Sequence, residues 1–121
     1  MSGPGILIAG ESIAGDADLT NAISQIAGTI VQGSPSAVEQ TLQRTPGIRL
    51  VLLEITRMDF DAGLLQRLRR NFPEVQVVLI NGSGDRDLLA QAFSLGVKDA
   101  FPRPLNRDLL VERVAVLYRE A

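Results

Sequence analysis

Short apolar runs of strand length alternate along this chain with segments whose apolar residues recur at the spacing of a helix. The runs cover residues 6–9, 29–32, 49–54, 75–80 and 99–101. Because a wholly apolar run of this length is typical of a strand buried on both faces, the pattern predicts an internal sheet. Strict alternation with helices, without hairpin turns, favours a parallel α/β sheet with helices on both faces and right-handed crossovers.

Capping residues mark the boundaries of the predicted helices. Asp16 or Asp18 is predicted to begin the first helix and Asn106 the last, because these side chains accept hydrogen bonds from the first helical N–H groups. Gly28 and Gly96 are predicted to end helices, since glycine readily adopts the left-handed conformation that follows a helix.

Helical spacing also predicts which side chains face the core. In the helix that begins at Asp85, the inward residues are predicted to be Leu88, Leu89, Ala92 and Phe93. In the last helix, they are predicted to be Leu109, Leu110, Val114 and Leu117. Residues 10–15, between the first strand and the first helix, are predicted to form a loop.

Length, charge and hydropathy narrow the class of protein. A chain of 121 residues, 45% apolar and 21% charged, is expected to form one domain, residues 1–121, around one core. Its net charge of −2 and its 4% aromatic content predict no binding to nucleic acid and no attraction to an anionic membrane. With no apolar run long enough to cross a bilayer and no secretory signal, a cytoplasmic protein is expected.

The lack of cysteine and histidine excludes several kinds of chemistry. Without them the chain forms no disulfide, offers no thiol nucleophile or imidazole base, and builds no Cys/His zinc site. Only oxygen ligands remain, and these suit a hard cation such as Mg²⁺.

Polar residues lie at the ends of several predicted strands. Gly10-Glu11 follow the first strand, Glu54 ends the third, Asn81 follows the fourth, and Arg103 follows the fifth. Together with the apolar pattern, these positions make the chain resemble a response-regulator receiver domain over nearly its whole length. Receivers carry a pair of acids, a phosphate-accepting Asp, a Thr or Ser, and a Lys there. The resemblance implies a signalling module of a two-component system, or phosphorelay, with no catalytic residues and no enzyme activity.

The resemblance, which is most specific from Asp85 to Leu105, also implies a fold. That fold is flavodoxin-like: a three-layer α/β sandwich with a five-stranded parallel sheet in the order 2-1-3-4-5 and helices on both faces. Its first and third strands are neighbours at the point where such sheets hold their sites. Gly10, Glu11 and Glu54 would then share one pocket, and Asn81 and Arg103 would rim it.

The chain departs from a receiver at the residues that carry the chemistry. Gly10 removes one acid, Glu11 and Glu54 are each one methylene longer than Asp, Asn81 replaces a hydroxyl, and Arg103 replaces a compact ammonium. Phosphoryl transfer needs an in-line carboxylate and a Mg²⁺ in near-octahedral oxygen geometry. We therefore interpret the chain as a pseudo-receiver that is not phosphorylated in the usual way and holds no cofactor. If Mg²⁺ still bound, Glu11 and Glu54 would be its ligands.

Several alternatives stay open. Glu54 and Arg103 either form an ion pair that imitates the phosphorylated state or are remnants of a dead site. Asp59 or Asp61 either accepts phosphate in an unconventional but working receiver or serves as a turn or cap residue. The loop at residues 82–84 is either an anion cradle or a plain turn. A small flavodoxin-like nucleotide or cofactor binder is the alternative from another class.

Contact with other proteins is the expected mode of action. Ala100 stands where receivers carry an aromatic residue that moves on activation, so the usual relay to the surface is expected to be missing. The resemblance places a partner face at Lys98, Ala100 and Phe101. The expected partner is a signalling protein, an output domain or a second copy of the chain.

Overall fold

A computed structural model describes residues 3–55, 62–81, 86–102 and 105–120, without the side chains of Pro35, Ile55 and Asn81. Within these ranges the strands are β1 (Ile6–Ala9), β2 (Thr29–Gln32), β3 (Leu50–Ile55), β4 (Gln76–Asn81) and β5 (Asp99–Pro102). The helices are α1 (Glu11–Ala14), α2 (Ala17–Ser24), α3 (Val38–Arg44), α4 (Ala62–Asn71), α5 (Arg86–Ser94) and α6 (Arg107–Glu120), with a 3-10 turn (Pro35–Ala37) before α3. None of these helices combines the length and apolar content needed to cross a bilayer.

The strands form one parallel sheet in the order β2-β1-β3-β4-β5, which confirms the predicted topology. β1 pairs with both β2 and β3, so that Leu7 lies between Ile30 and Val51. β3 runs one residue past Glu54, and its last residue, Ile55, pairs with Asn81. Glu54 therefore lies at the carboxyl edge of the sheet, in the central strand and beside the end of β1.

Two apolar cores cover the two faces of the sheet. Side chains alternate along each strand, so Leu7 and Leu53 pack into one core while Ile8 and Leu52 pack into the other. The first core is closed by apolar residues of α3, α4 and α5, and the second by those of α1, α2 and α6. All four strand residues just named are fully buried, as expected for a sheet with helices on both faces.

Several predicted helix boundaries are confirmed. Asp16 accepts a hydrogen bond from the Leu19 N–H at 3.2 Å, and Asn106 accepts one from the Leu109 N–H at 3.1 Å. Gly96 follows α5 with a φ of 96°, the left-handed conformation that glycine supplies at a helix end. The predicted caps Asp61 and Asp85 lie outside the described residues.

The prediction of a loop at residues 10–15 is wrong, because residues 11–14 form α1. The Ala14 N–H donates to the Gly10 carbonyl oxygen at 2.9 Å, which closes the single turn of this helix. Such a short helix shows no apolar periodicity in the sequence. α2 also ends at Ser24, earlier than the predicted end at Gly28.

Two side chains that were predicted to face the core are exposed instead. Phe93 is 47% exposed and Leu109 is 52% exposed. Each residue of a helix is rotated by about 100° from the one before it, since a turn takes about 3.6 residues. In α5 the buried residues Leu88 and Ala92 fix the inward direction, and in α6 Leu110 does so, which turns Phe93 and Leu109 toward the surface.

Candidate functional site

The sheet brings Gly10 and Glu54 into direct contact. β1 and β3 are neighbours with Ala9 paired to Leu53, so the next residue of each strand reaches the same point at the carboxyl edge. A Cβ atom placed on Gly10 would lie 2.3 Å from the Glu54 Cβ and 2.7 Å from its Oε1 atom. The Glu54 side chain therefore fills the space that any side chain at position 10 would need.

The Glu54 carboxylate binds the first turn of α1. Its Oε1 atom accepts hydrogen bonds from the Ser12 N–H at 2.9 Å and the Ile13 N–H at 3.1 Å. The first N–H groups of a helix have no partner within the helix, and the N-cap residue Gly10 has no side chain to supply one. Glu54, in strand β3, thus caps the helix α1. A negative charge is favourable at this position, because the start of a helix carries a partial positive charge.

The backbone at Gly10 adds a second requirement for glycine. Gly10 has φ 154° and ψ 142°, a conformation that residues with a Cβ atom rarely adopt. Space and conformation therefore exclude other residues independently. An Asp at position 10 and the observed position of Glu54 are mutually exclusive.

The other predicted pocket residues, Glu11, Asn81 and Arg103, are described only in part. Glu11 is the first residue of α1 and its side chain is exposed. The backbone of Asn81 ends β4 opposite Ile55, but its side chain is not described. Arg103, and with it the predicted ion pair to Glu54, lies outside the described residues.

The remaining candidates from the sequence are two acids that follow β3 and the loop that follows β4. Asp59, Asp61 and the loop at residues 82–84 all lie outside the described ranges. Their predicted alternatives, as phosphate acceptors or as an anion cradle, stay predictions.

The residues around Gly10 do not fit the Mg²⁺ ion that the receiver resemblance implies. Gly10 supplies no ligand, and the Glu54 Oε1 atom already accepts two N–H groups. In the described part of the chain, no three Asp or Glu side chains cluster closely enough to hold a metal ion. Mg²⁺ requires several oxygens in near-octahedral positions, which these described residues do not supply.

The predicted partner face is only partly at the surface. Lys98 is exposed, Ala100 is half-buried against the core, and Phe101 is 8% exposed and packs within the core behind β5. Phe101 therefore supports this face from inside and offers little contact area to a partner. Beside it the Arg113 Nε atom lies 2.8 Å from Asp99 Oδ2, an ion pair that sequence reasoning missed.

Sequence reasoning also missed the main contacts of Glu54, because the N–H groups of Ser12 and Ile13 are backbone donors without a side-chain signature. A usable signal was present in the sequence. A glycine directly after β1 occurs with a long acid directly after the apolar part of β3, and the two positions meet in a sheet of this topology.

Comparison with known proteins supports one family. No family model matches the chain. The chain is 32% identical over 98 residues to the chemotaxis protein CheY of Treponema pallidum (strain Nichols), a match that covers 80% of this chain and 67% of that protein.

Solved structures agree with this fold. A response regulator from Thermotoga maritima superposes with a TM-score of 0.79 and 23% identity, over 97% of this chain and 98% of that one. A CheY-like response regulator receiver domain protein from Methanospirillum hungatei JF-1 superposes with a TM-score of 0.82 and 15% identity, over 98% of this chain and 96% of that one. A putative pilus assembly-related protein from Burkholderia pseudomallei K96243 superposes with a TM-score of 0.72 and 20% identity, over 98% of this chain and 91% of that one. With the sequence match to CheY, the chain belongs to the CheY-like response-regulator receiver family.

Proposed function

We propose that this receiver domain is an atypical one, which signals through contact with other proteins and does not accept a phosphoryl group at Glu54. One observation carries the proposal: the Glu54 carboxylate fills the space left by Gly10 and accepts the N–H groups of Ser12 and Ile13. The carboxylate is used to hold α1 in place.

The geometry disfavours attack by Glu54 on a phosphorus atom. Attack through Oε1 would break two N–H hydrogen bonds, which are worth about 1.5–3 kcal/mol each when the acceptor is charged, and attack through Oε2 would have to occur from a carboxylate that these bonds hold against α1. A displacement of about 1 Å in a reacting group can reduce a rate on the order of a hundredfold. Without an acid at position 10, a metal ion is also poorly placed to neutralise the incoming phosphoryl oxygens.

Incubation of the chain with acetyl phosphate and Mg²⁺, followed by intact mass measurement, tests the proposal. We expect no gain of a phosphoryl group, while a receiver that carries the usual Asp gains one under the same conditions. Mapping of the modified residue distinguishes Glu54 from Asp59 and Asp61, and a gain at Glu54 would contradict the proposal. Modification at either Asp would establish the unconventional but phosphorylatable receiver.

The second part of the proposal, action through protein contact, is supported by the family and by the lack of other chemistry in the sequence. The chain has no His or Cys and so offers neither an imidazole base nor a thiol nucleophile, and the Glu54 carboxylate accepts the N–H groups that begin α1. A signalling protein, an output domain or a second copy of this chain is the proposed partner.

A further inference from the structure

α1 is held at both ends, and the two attachments lead to different parts of the molecule. At its start, Glu54 of β3 accepts the N–H groups of Ser12 and Ile13. At its end, the Ile13 carbonyl oxygen accepts the N–H of Asp16 at 3.2 Å. The short helix therefore connects the carboxyl edge of the sheet with the residue that begins α2.

Asp16 in turn joins α2 to α6. Its Oδ1 atom accepts the Leu19 N–H at 3.2 Å, and its Oδ2 atom lies 2.8 Å from the Nε atom of Arg107, the first residue of α6. The hydrogen bond with Asp16 and the negative charge of that carboxylate raise the pKa of Arg107 above its ordinary value. Both carboxylate oxygens of Asp16 thus hold the start of a helix.

An apolar contact runs parallel to these polar ones. The Ile13 side chain is 1% exposed and lies in the same core as Leu19 of α2 and Leu110 of α6. A shift of α1 would move Ile13 within that core. Closely packed cores respond to such a shift by moving neighbouring side chains, because they contain little free space.

We propose that α1 couples Glu54 to the start of α6, so that a change at Glu54 alters the contacts of Asp16 and Arg107 at the surface. This route lies on the α2/α6 side of the sheet and does not use β5, where Ala100 lacks the moving aromatic of other receivers. The coupling goes beyond the proposed function, since it holds whether or not Glu54 accepts phosphate. By reciprocity, a partner that binds over Arg107 alters the hydrogen bonds of Glu54.

NMR hydrogen exchange of the folded chain, without any phosphoryl donor, tests the coupling. In Glu54→Ala we expect exchange at Ser12 and Ile13 to rise about tenfold or more, because their charged acceptor is lost. At Leu19 and Leu110 we expect a rise of about two- to fivefold, the scale of an exposed ion pair. The Nε–H signal of Arg107 should shift in the same variant.

Matched variants distinguish coupling from a general loss of stability. Glu11→Ala removes an exposed acid from the same turn and should leave Leu110 and the Arg107 Nε–H signal unchanged. The amide of Leu42, in the opposite core, measures the general loss of stability in Glu54→Ala, and the two- to fivefold rises expected in α2 and α6 are those in excess of the rise at Leu42. If that variant does not fold, Glu54→Gln keeps the acceptor and should give the same pattern with smaller changes.

The reverse experiment changes Arg107 and measures exchange at the amides of α1. Arg107→Ala should speed exchange at Ser12 and Ile13 by about two- to fivefold in the parent chain, again the scale of one exposed ion pair. It should have no such effect in the Glu54→Ala background, where those amides have already lost their acceptor. Changes confined to Ser12 and Ile13 in Glu54→Ala would overturn the proposal, as would an Arg107→Ala variant that leaves both amides unaffected. A positive phosphorylation result would leave the coupling standing, so the two proposals fail separately.

Discussion

Glu54 and Asp99 are both strand carboxylates that accept backbone N–H groups, but they connect very different parts of the chain. Glu54, in the central strand β3, accepts N–H groups that lie 42 and 41 residues away in the sequence. Asp99, in the edge strand β5, accepts the N–H of its own neighbour Ala100 at 2.8 Å. The first carboxylate fixes the position of a separate helix, whereas the second arranges its own strand.

The two carboxylates also differ in what they require of their surroundings. The second oxygen of Asp99 pairs with Arg113, and the side chains are 31% and 41% exposed, so water competes for both. Glu54 is half-buried and can adopt its position only because Gly10 has no side chain. The end of β1 and β3 therefore depends on two residues together, while the contact at β5 tolerates change in either partner.

The largest effect is expected from Gly10→Ala. The new methyl group would meet Glu54 at 2.3 Å, and the backbone would keep a φ of 154° that alanine rarely adopts. Backbone strain and overpacking each cost about 1–3 kcal/mol, so we expect the free energy of unfolding to fall by about 3 kcal/mol. Urea denaturation of the variant and the parent chain measures this difference.

Two further variants separate the causes of that loss. Gly33→Ala is the matched control, because a Cβ there meets no atom within 4 Å, and we expect a change within about 0.5 kcal/mol. In the double variant Gly10→Ala, Glu54→Gly the contacts with the Glu54 Cβ and Oε1 atoms both disappear, so the loss should be smaller than the sum of the losses in the two single variants by about 0.5–3 kcal/mol. If the losses were strictly additive, Gly10 and Glu54 would act independently. The end of β1 and β3 would then not depend on the two residues together, and Glu54 would not differ from Asp99 in this respect.

A smaller effect is expected from Glu54→Ala alone. It leaves the Ser12 and Ile13 N–H groups to water, and we expect a loss of about 2 kcal/mol, less than two full hydrogen bonds to a charged group, because the Ser12 bond is exposed and water replaces its acceptor. Glu54→Gln keeps an acceptor oxygen and should lose less, about 0.5–1 kcal/mol, the part that comes from charge at a helix start.

Glu11→Ala is the control for these two variants, because it removes an exposed acid from the first turn of the same helix. Its expected loss stays below about 1 kcal/mol. Thermal unfolding of all the variants under one condition gives the ranking. Equal losses for Glu54→Ala and Glu11→Ala would mean that the carboxylate acts only through its charge and that the hydrogen bonds contribute nothing.

The fold could be predicted because it depends on patterns that many residues share. The run that ends in Leu53 is apolar at every position, and one changed residue would not have hidden a buried strand. Caps were predictable for a similar reason, as Asp16 and Asn106 use a common local contact. The exposure of single residues was less predictable. Phe93 and Leu109 are sequence neighbours of the buried residues Ala92 and Leu110, and the rotation of about 100° between neighbouring residues of a helix brings them to the surface.

The site could be predicted only as a location. Strand order places Gly10 and Glu54 at one edge, and the sequence shows that both depart from a receiver. Gly10 was interpreted as the loss of an acid, whereas in the structure it provides the space that Glu54 occupies. The donors that hold Glu54 belong to the backbone of α1, and a helix of four residues leaves no periodic signal that would place them.

The smallest effect is expected at the edge strand, from Asp99→Asn. The amide keeps an oxygen for the Ala100 N–H and loses only the charge that faces Arg113. An exposed ion pair contributes about 0.2–1 kcal/mol, and salt should remove the difference, because the screening length falls to about 3 Å at 1 M. Unfolding measured at low and high salt checks both statements. A loss above about 2 kcal/mol that persists in salt would exceed the contribution of such a pair and would place Asp99 beside Glu54 as a carboxylate on which the position of a neighbouring element depends.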